Sequence, residues 1–260
     1  MGSRLEGKVA LITGAGRGIG RSIALAYARE GSDIAATART AAELDAVAAE
    51  ISAMGREVLT IPADLADPRT PESVASQALN RFGNIDILVN NAGVGSSASP
   101  RPLLEFDDRF WNLSLALNLT APYLLSKVVL PTMLKKGRGR IINIASIAGK
   151  LGLLHGCAYS ASKHGLLGLT RSLALEVADK GITVNAICPG PVHTVMNDLR
   201  IRVDAARLQI PVAELEARLT PLGRRLEPEE IAPLALLLAS DESDGITGQA
   251  INVCGGALMI

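Results

Sequence analysis

Short apolar runs alternate with longer stretches of mixed polarity along almost the whole chain. Val9-Ala10-Leu11-Ile12 is the first run and predicts a strand. Gly18 to Glu30 then repeats apolar positions at helical spacing, and Gly31 stops it. The same alternation continues. Strands are predicted at Asp33–Ala38, Val58–Pro62, Ile85–Val89, Arg140–Ala145, Ile182–Ile187 and Gln249–Val253. Helices are predicted at Ala41–Met54, Thr70–Phe82, Leu103–Leu117, Leu119–Lys136, Tyr159–Lys180 and Pro228–Ala239. Residues 194–220 are polar, rich in Arg, and read as irregular. Strands this short and apolar are buried on both faces, which is the pattern of a parallel sheet covered by helices.

The expected fold is therefore α/β and Rossmann-like: a doubly wound, seven-stranded parallel sheet with helices on both faces. No Pro-, Gly- or Ser-rich linker divides the series, and no internal repeat is present, so residues 1–260 are expected to form one domain. Ligands of such sheets sit beyond the carboxyl ends of the strands.

Composition narrows the function. The chain has 260 residues, with 26 basic and 26 acidic side chains. Balanced charge gives no broad basic field for nucleic acid or an anionic membrane. No unbroken apolar run reaches the ~18 residues of a membrane span. Met1 to Lys8 is short and polar, so no signal peptide is expected, and Glu6 stands where a myristoylation signal needs Ser or Thr. Cys157, Cys188 and Cys254 are scattered and odd in number, which fits reduced thiols of a cytoplasmic protein. Three His without paired spacing argue against a metal site.

Every chemical motif falls after a strand. Thr13-Gly14-Ala15-Gly16-Arg17-Gly18-Ile19-Gly20 follows the first one and opens a helix. Glycines there permit a tight turn and a close approach to a pyrophosphate, and the helix start offers free N–H groups. Gly14, Arg17, Gly18, Ile19 and Gly20 are the candidate contacts. The second strand ends at Ala38-Arg39, where an NAD site usually carries an acid for the ribose 2′-hydroxyl. Arg39 instead suits a 2′-phosphate, with Arg17 as a second cation. NADP is therefore preferred, with NAD as the alternative. Tyr159 and Lys163 lie four apart at the start of a predicted helix, so they share a face. A neighbouring ammonium and an oxidised nicotinamide would lower the phenol's pKa and fit Tyr159 for proton transfer.

The glycine spacing, Gly-x-x-x-Gly-x-Gly, together with Asn90-Asn91-Ala92-Gly93, Tyr-x-x-x-Lys at 159–163 and Pro189-Gly190-Pro191-Val192-His193-Thr194, resembles the short-chain dehydrogenase/reductase family. The resemblance covers the whole chain. It implies a cofactor contact at Asp64 and Leu65 after strand three. It implies a cofactor wall at Asn91, Ala92 and Gly93, and a nicotinamide grip from Pro189, Val192 and Thr194. It implies that Ser146 binds the substrate oxygen, that Lys163 also holds the nicotinamide ribose, and that Asn118 links Lys163 to solvent through its backbone and a water. It also implies a homotetramer, and the apolar end Ala257-Leu258-Met259-Ile260 fits burial against a neighbour.

Ile142 to Ser146, Lys150, His155, the Tyr159–Gly165 stretch and Asn252-Val253-Cys254-Gly255-Gly256 look like ketoreductases of aromatic polyketide synthesis. The 3-oxoacyl-carrier-protein reductases share that frame. The Pro-Gly-Gly stretch of the polyketide enzymes is missing: Val94-Gly95-Ser96-Ser97 follows Gly93. The expected reaction is hydride transfer between nicotinamide and a ketone or secondary alcohol, with a β-keto group, free or bound to a carrier or CoA, as substrate. His155 is expected to line the substrate pocket, while residues 194–220 form its lid. Arg200, Arg202 and Arg207 could meet an anionic carrier, although a solvated helix face suits them better. A sugar-nucleotide epimerase needs a different glycine spacing. A sensor or scaffold would have lost part of the Ser/Tyr/Lys set.

Overall fold

The computed structural model describes residues 3–96 and 100–260. Met1 and Gly2 of the N-terminal motif, and Ser97 of the loop after Gly93, lie outside the described residues.

Seven parallel strands form one sheet in the order β3-β2-β1-β4-β5-β6-β7. They are β1 Val9–Thr13, β2 Asp33–Ala38, β3 Val58–Pro62, β4 Ile87–Asn90, β5 Gly139–Ile144, β6 Ile182–Pro189 and β7 Ala250–Val253. The chain reverses its direction of travel across the sheet between β1 and β4. Their carboxyl ends therefore diverge into a crevice. Both faces are buried, as the unbroken apolar strands require. Along β1, Leu11 enters one core and Ile12 the other, and Ile141 and Ile142 split in the same way on β5.

One core lies under α1 (Gly18–Arg29), α2 (Ala41–Ala53) and α9 (Ala232–Ala239). The other lies under α3 (Thr70–Phe82), α5 (Ala121–Lys136) and α6 (Cys157–Val177). Tyr27 of α1 is fully buried, and its hydroxyl donates to the Ala235 carbonyl of α9 at 2.8 Å. Burial raises its pKa well above the usual phenol value, so it stays a neutral donor.

Several boundaries differ from expectation for identifiable reasons. β4 starts two residues late, because Asp86 turns its carboxylate back to the Val9 N–H (3.0 Å), Asn84 and Lys136. The two helices expected between Leu103 and Lys136 are one continuous rod. α4 (Asp108–Leu115) is capped by Asp107, which accepts from the Arg109 N–H at 2.9 Å. A π-turn at Ala116–Thr120 then carries it into α5 without a break. The rod, Asp108–Lys136, is long and apolar enough by length and composition to cross a membrane. Here it packs on α3, α6 and the sheet.

The largest correction concerns residues 194–220, which are helical rather than irregular. Thr194 caps α7 (Val195–Leu208) by accepting from the Asn197 N–H, and Gln209 ends it with φ 55°. α8 (Val212–Arg218) follows. Ile201, Ala205 and Leu215 make a small separate core between them. Arg225, which is buried, pairs with Asp198 of α7 at 2.5 Å and Glu216 of α8 at 2.7 Å. Three apolar residues are too sparse a stripe to show in the sequence, and the ion pairs that complete the unit join distant positions.

Tyr27→Phe tests the tie between the first and last helices. It removes the buried hydrogen bond to the Ala235 carbonyl, at a cost of about 1 kcal/mol. A denaturant melt should show that loss with an unchanged slope.

Candidate active site

The crevice at the switch point is a cleft of about 620 Å³. At one end β1 runs into the glycine turn. Arg17 precedes α1 without capping it by its side chain, so the first N–H groups of the helix stay unsatisfied. A Cβ at Gly20 would overlap the Gly14 carbonyl and the Asn91 amide, so only glycine lets the helix start this close to the strand. Asn91 holds the turn from below: its side-chain amide donates to the carbonyls of Thr13 (2.9 Å) and Gly14 (3.2 Å). Thr13 Oγ1 in turn accepts from the N–H groups of Asn91 and Ala92, both at 2.9 Å. A cradle of unpaired N–H groups with no side chain in the way fits a dinucleotide pyrophosphate.

Ala38, Arg39, Thr40, Ala63, Asp64 and Leu65 carry the cleft past the ends of β2 and β3. Arg39 is exposed there and makes no hydrogen bond or ion pair among the described residues. Arg17 is not the second free cation that was expected. Its guanidinium meets Glu43 of α2 at 3.1 Å. Glu43 was missed because an acid was sought only at the end of β2, whereas this one comes from the first turn of the following helix, where the helix dipole favours it.

The other end of the cleft holds Tyr159 and Lys163 on the first two turns of α6, beside Ile144 and Ala145 of the β5 end. Lys163 is buried, and its ammonium donates to the Ile144 carbonyl at 2.8 Å. Burial lowers its pKa to about 8. Nζ lies 5.8 Å from the centroid of the Tyr159 ring. The protein alone does not lower the Tyr159 pKa as expected. Burial raises it, and the hydrogen bond with the Ser146 side chain opposes that rise. Ser146 Oγ also accepts from the Ala148 N–H at 3.1 Å, which fixes the hydroxyl at the strand end.

Asn118 sits at the centre of the π-turn, fully buried. Its Oδ1 accepts from the Val94 N–H at 2.8 Å, and its Nδ2 donates to the Val94 carbonyl and to Ser162 Oγ, both at 3.0 Å. The loop after β4 is thus bolted to α6 through one amide. Gly93 allows the close passage: a Cβ there would lie 2.9 Å from Asn118 Oδ1 and 3.8 Å from Lys163 Nζ.

Gly14, Arg17, Gly18, Ile19, Arg39, Asp64, Leu65, Asn91, Ala92, Gly93, Tyr159, Lys163 and Thr194 all line the cleft. Gly20, Asn118, Pro189 and Val192 do not line it, and Ser146 is joined to it through its hydrogen bond with Tyr159; Val192 is buried and bridges to Leu226. His155 is not brought to the cleft wall either, and its backbone is in the left-handed region with φ 56°. Val195, Met196 and Asp198 of α7 also line the cleft. They were hidden in the segment read as irregular. The three cysteines are free, and no cluster of metal ligands occurs among the described residues.

The short chain dehydrogenase profile matches residues 8–202. The chain belongs to that family. It is 43% identical over 254 residues to a protein named as a ketoacyl reductase of the granaticin polyketide synthase of Streptomyces violaceoruber, covering 95% of this chain and 92% of that one. It is 40% identical over 255 residues to the 3-oxoacyl-[acyl-carrier-protein] reductase of Escherichia coli, covering 98% and 99%. Carveol dehydrogenase of Mycobacterium avium in complex with NAD superposes with a TM-score of 0.92 at 33% identity, over 98% of this chain and 99% of that one. A protein of Beutenbergia cavernae named as an NAD(P)-dependent gluconate 5-dehydrogenase, with bound NADP, gives 0.88 at 40% identity, over 99% of each. This short-chain dehydrogenase is accordingly a nicotinamide-dependent oxidoreductase of alcohol and carbonyl groups.

The buried ammonium makes a pH prediction. Lys163 titrates near 8 in the folded protein and near ~10.4 in an unfolded chain. Between those values the unfolded chain binds more protons, so the penalty that the buried charge of Lys163 places on the fold fades as pH rises. Melting temperatures of the protein and of Lys163→Met, compared from pH 7 to 10.5, should show the native protein gaining on the variant. A constant difference would refute the buried, charged Lys163.

Proposed function

We propose that the protein is an NADPH-dependent carbonyl reductase acting on β-keto and related ketones. The observation that carries this reading is the hydrogen bond between Ser146 and Tyr159, with Lys163 one helical turn away, in a cleft that also holds the glycine cradle.

When bound, a reduced nicotinamide supplies the hydride that attacks the carbonyl carbon. Ser146 and Tyr159 then bind the same carbonyl oxygen. The raised pKa keeps Tyr159 protonated at neutral pH, so its hydroxyl can donate as negative charge builds on that oxygen. Lys163, still largely charged below pH 8, stabilises the phenolate left behind. Asn118, bonded to Val94 and Ser162, holds the loop and helix in register and offers its backbone for proton return. In the oxidative direction Tyr159 takes the proton back.

The preference for NADPH rests on Arg39, an unpartnered guanidinium at the cleft rim, with Ala38 in place of an acid. The pairing of Arg17 with Glu43 favours a second reading, in which NAD is also accepted, because one of the two cations is already neutralised. Residues 195–218 act as the lid on a single domain. The exposed Met259 and Ile260 support burial in a homotetramer. A cytoplasmic location fits three free thiols, and a carrier- or CoA-bound substrate fits the names of the reductases cited above.

Two substitutions test the reading. Tyr159→Phe should cut ketone turnover by about 10²–10⁴-fold while NADPH still binds. Arg39→Ala should weaken NADPH about tenfold in a fluorescence titration and NADH much less. Equal effects on both cofactors would remove Arg39 as the phosphate ligand. Cofactor binding without turnover on any ketone or alcohol would favour a sensor instead.

A further inference from the structure

Arg200 does not lie on a solvated face. Only 15% of its side chain is exposed, and all of its guanidinium nitrogens are engaged. Nε donates to Asp204 of the same helix at 2.6 Å. Nη1 donates to Ser96 Oγ at 3.1 Å, and Nη2 to the Leu154 carbonyl at 2.9 Å. Ser96 belongs to the loop after β4, and Leu154 to the loop after β5. One guanidinium therefore joins three segments that are far apart in sequence.

One of those segments, α7, also lines the cleft through Val195, Met196 and Asp198. Met196 and Arg200 are four apart on α7, so they share a face. Met196 lines the same cleft as Tyr159, and one turn later Arg200 reaches across to both loops. The receiving loop is shaped for it. His155 takes a left-handed backbone conformation just after Leu154, which costs energy in a residue with a Cβ. A Cβ on Gly156 would touch Ser96 Cβ at 3.2 Å, so the two loops are already in contact where Arg200 meets them.

We propose that Arg200 is a positioning and specificity-determining residue: its three-way lock holds α7 down and fixes the width of the substrate mouth above Tyr159. The charge is consumed in the lock. The exposed side chains around the lock, Leu154, Val195, Met196 and Leu199, are apolar, which suits the neutral acyl part of a ketone substrate there rather than an anionic group. This inference rests on the carbonyl-reductase reading for its kinetic test but not for its structural one.

The experiment compares the full-length protein with Arg200→Met, which keeps the length and removes the donors. Arg200→Lys keeps the charge but offers one ammonium where three acceptors are spread apart. Ser96→Ala removes a single acceptor. Trypsin cleavage in the lid, at Arg202, Arg207 and Arg218, is followed with NADPH bound. Cleavage should accelerate at least about tenfold in Arg200→Met, the size of one lost charge-assisted hydrogen bond, and less in Ser96→Ala. NADPH affinity should stay within about twofold.

With a small and a bulky ketone, KM for the small one should rise about tenfold, and the preference between the two should narrow. Arg200→Lys should not restore it. Unchanged lid cleavage, or a loss of NADPH affinity matching the rise in KM, overturns the proposal. Absence of turnover in the native protein would instead defeat the carbonyl-reductase reading, and the proteolysis would still decide the lock.

Discussion

Two parallel strands part company between Thr13 and Asn91, and the protein depends on how that gap is held. Parallel neighbours whose chains continue in opposite directions leave a crevice that hydrogen bonds of the sheet no longer close. Here the closure is made by side chains. Thr13 Oγ1 gathers the Asn91 and Ala92 N–H groups, and the Asn91 amide gathers the Thr13 and Gly14 carbonyls. Because this knot satisfies the backbone groups of the split, the N–H groups at the start of α1 are left free. The anion site is what remains when everything around it has been paired.

The catalytic end follows the same economy with a different partner. Placing an ammonium in the core is costly unless it is bonded. Lys163 is bonded to Ile144, and its pKa falls to about 8. Burial also keeps Tyr159 a phenol. Desolvation thus moves the two groups in opposite directions, Lys163 down toward neutrality and Tyr159 up and away from it. The π-turn at Asn118 belongs to this arrangement: an extra residue in the helix turns an amide inward, where it ties the β4 loop to α6. Such turns collect at functional positions for that reason.

The lid is built on a weaker principle. α7 and α8 share a small apolar core, Ile201, Ala205 and Leu215 with Ile210 and Leu219 packed against it, and guanidinium groups add the directional ties. Arg225 anchors the base through Asp198 and Glu216, while Arg200 fastens the rim. Directional bonds of this kind fix a position without the bulk of a hydrophobic core.

Much of this was legible in the residues alone. The parallel sheet follows from apolar runs buried on both faces, the glycine turn sits where β1 ends, and Tyr159 and Lys163 share a helix face four residues apart, while Ser146 was marked by the family resemblance. Local pattern suffices there because strand period, helix spacing and glycine's missing side chain act within a few residues. Tertiary structure decided the rest. Arg17 was read as a free cation, and only the fold puts Glu43 beside it from another helix. The Tyr159 pKa depends on how deeply the ring is buried, which no spacing encodes. Residues 194–220 looked irregular because their helices are held by ion pairs to Arg225 and by hydrogen bonds from Arg200 to Ser96 and the Leu154 carbonyl. Those partners are brought within bonding distance only when the chain closes on itself.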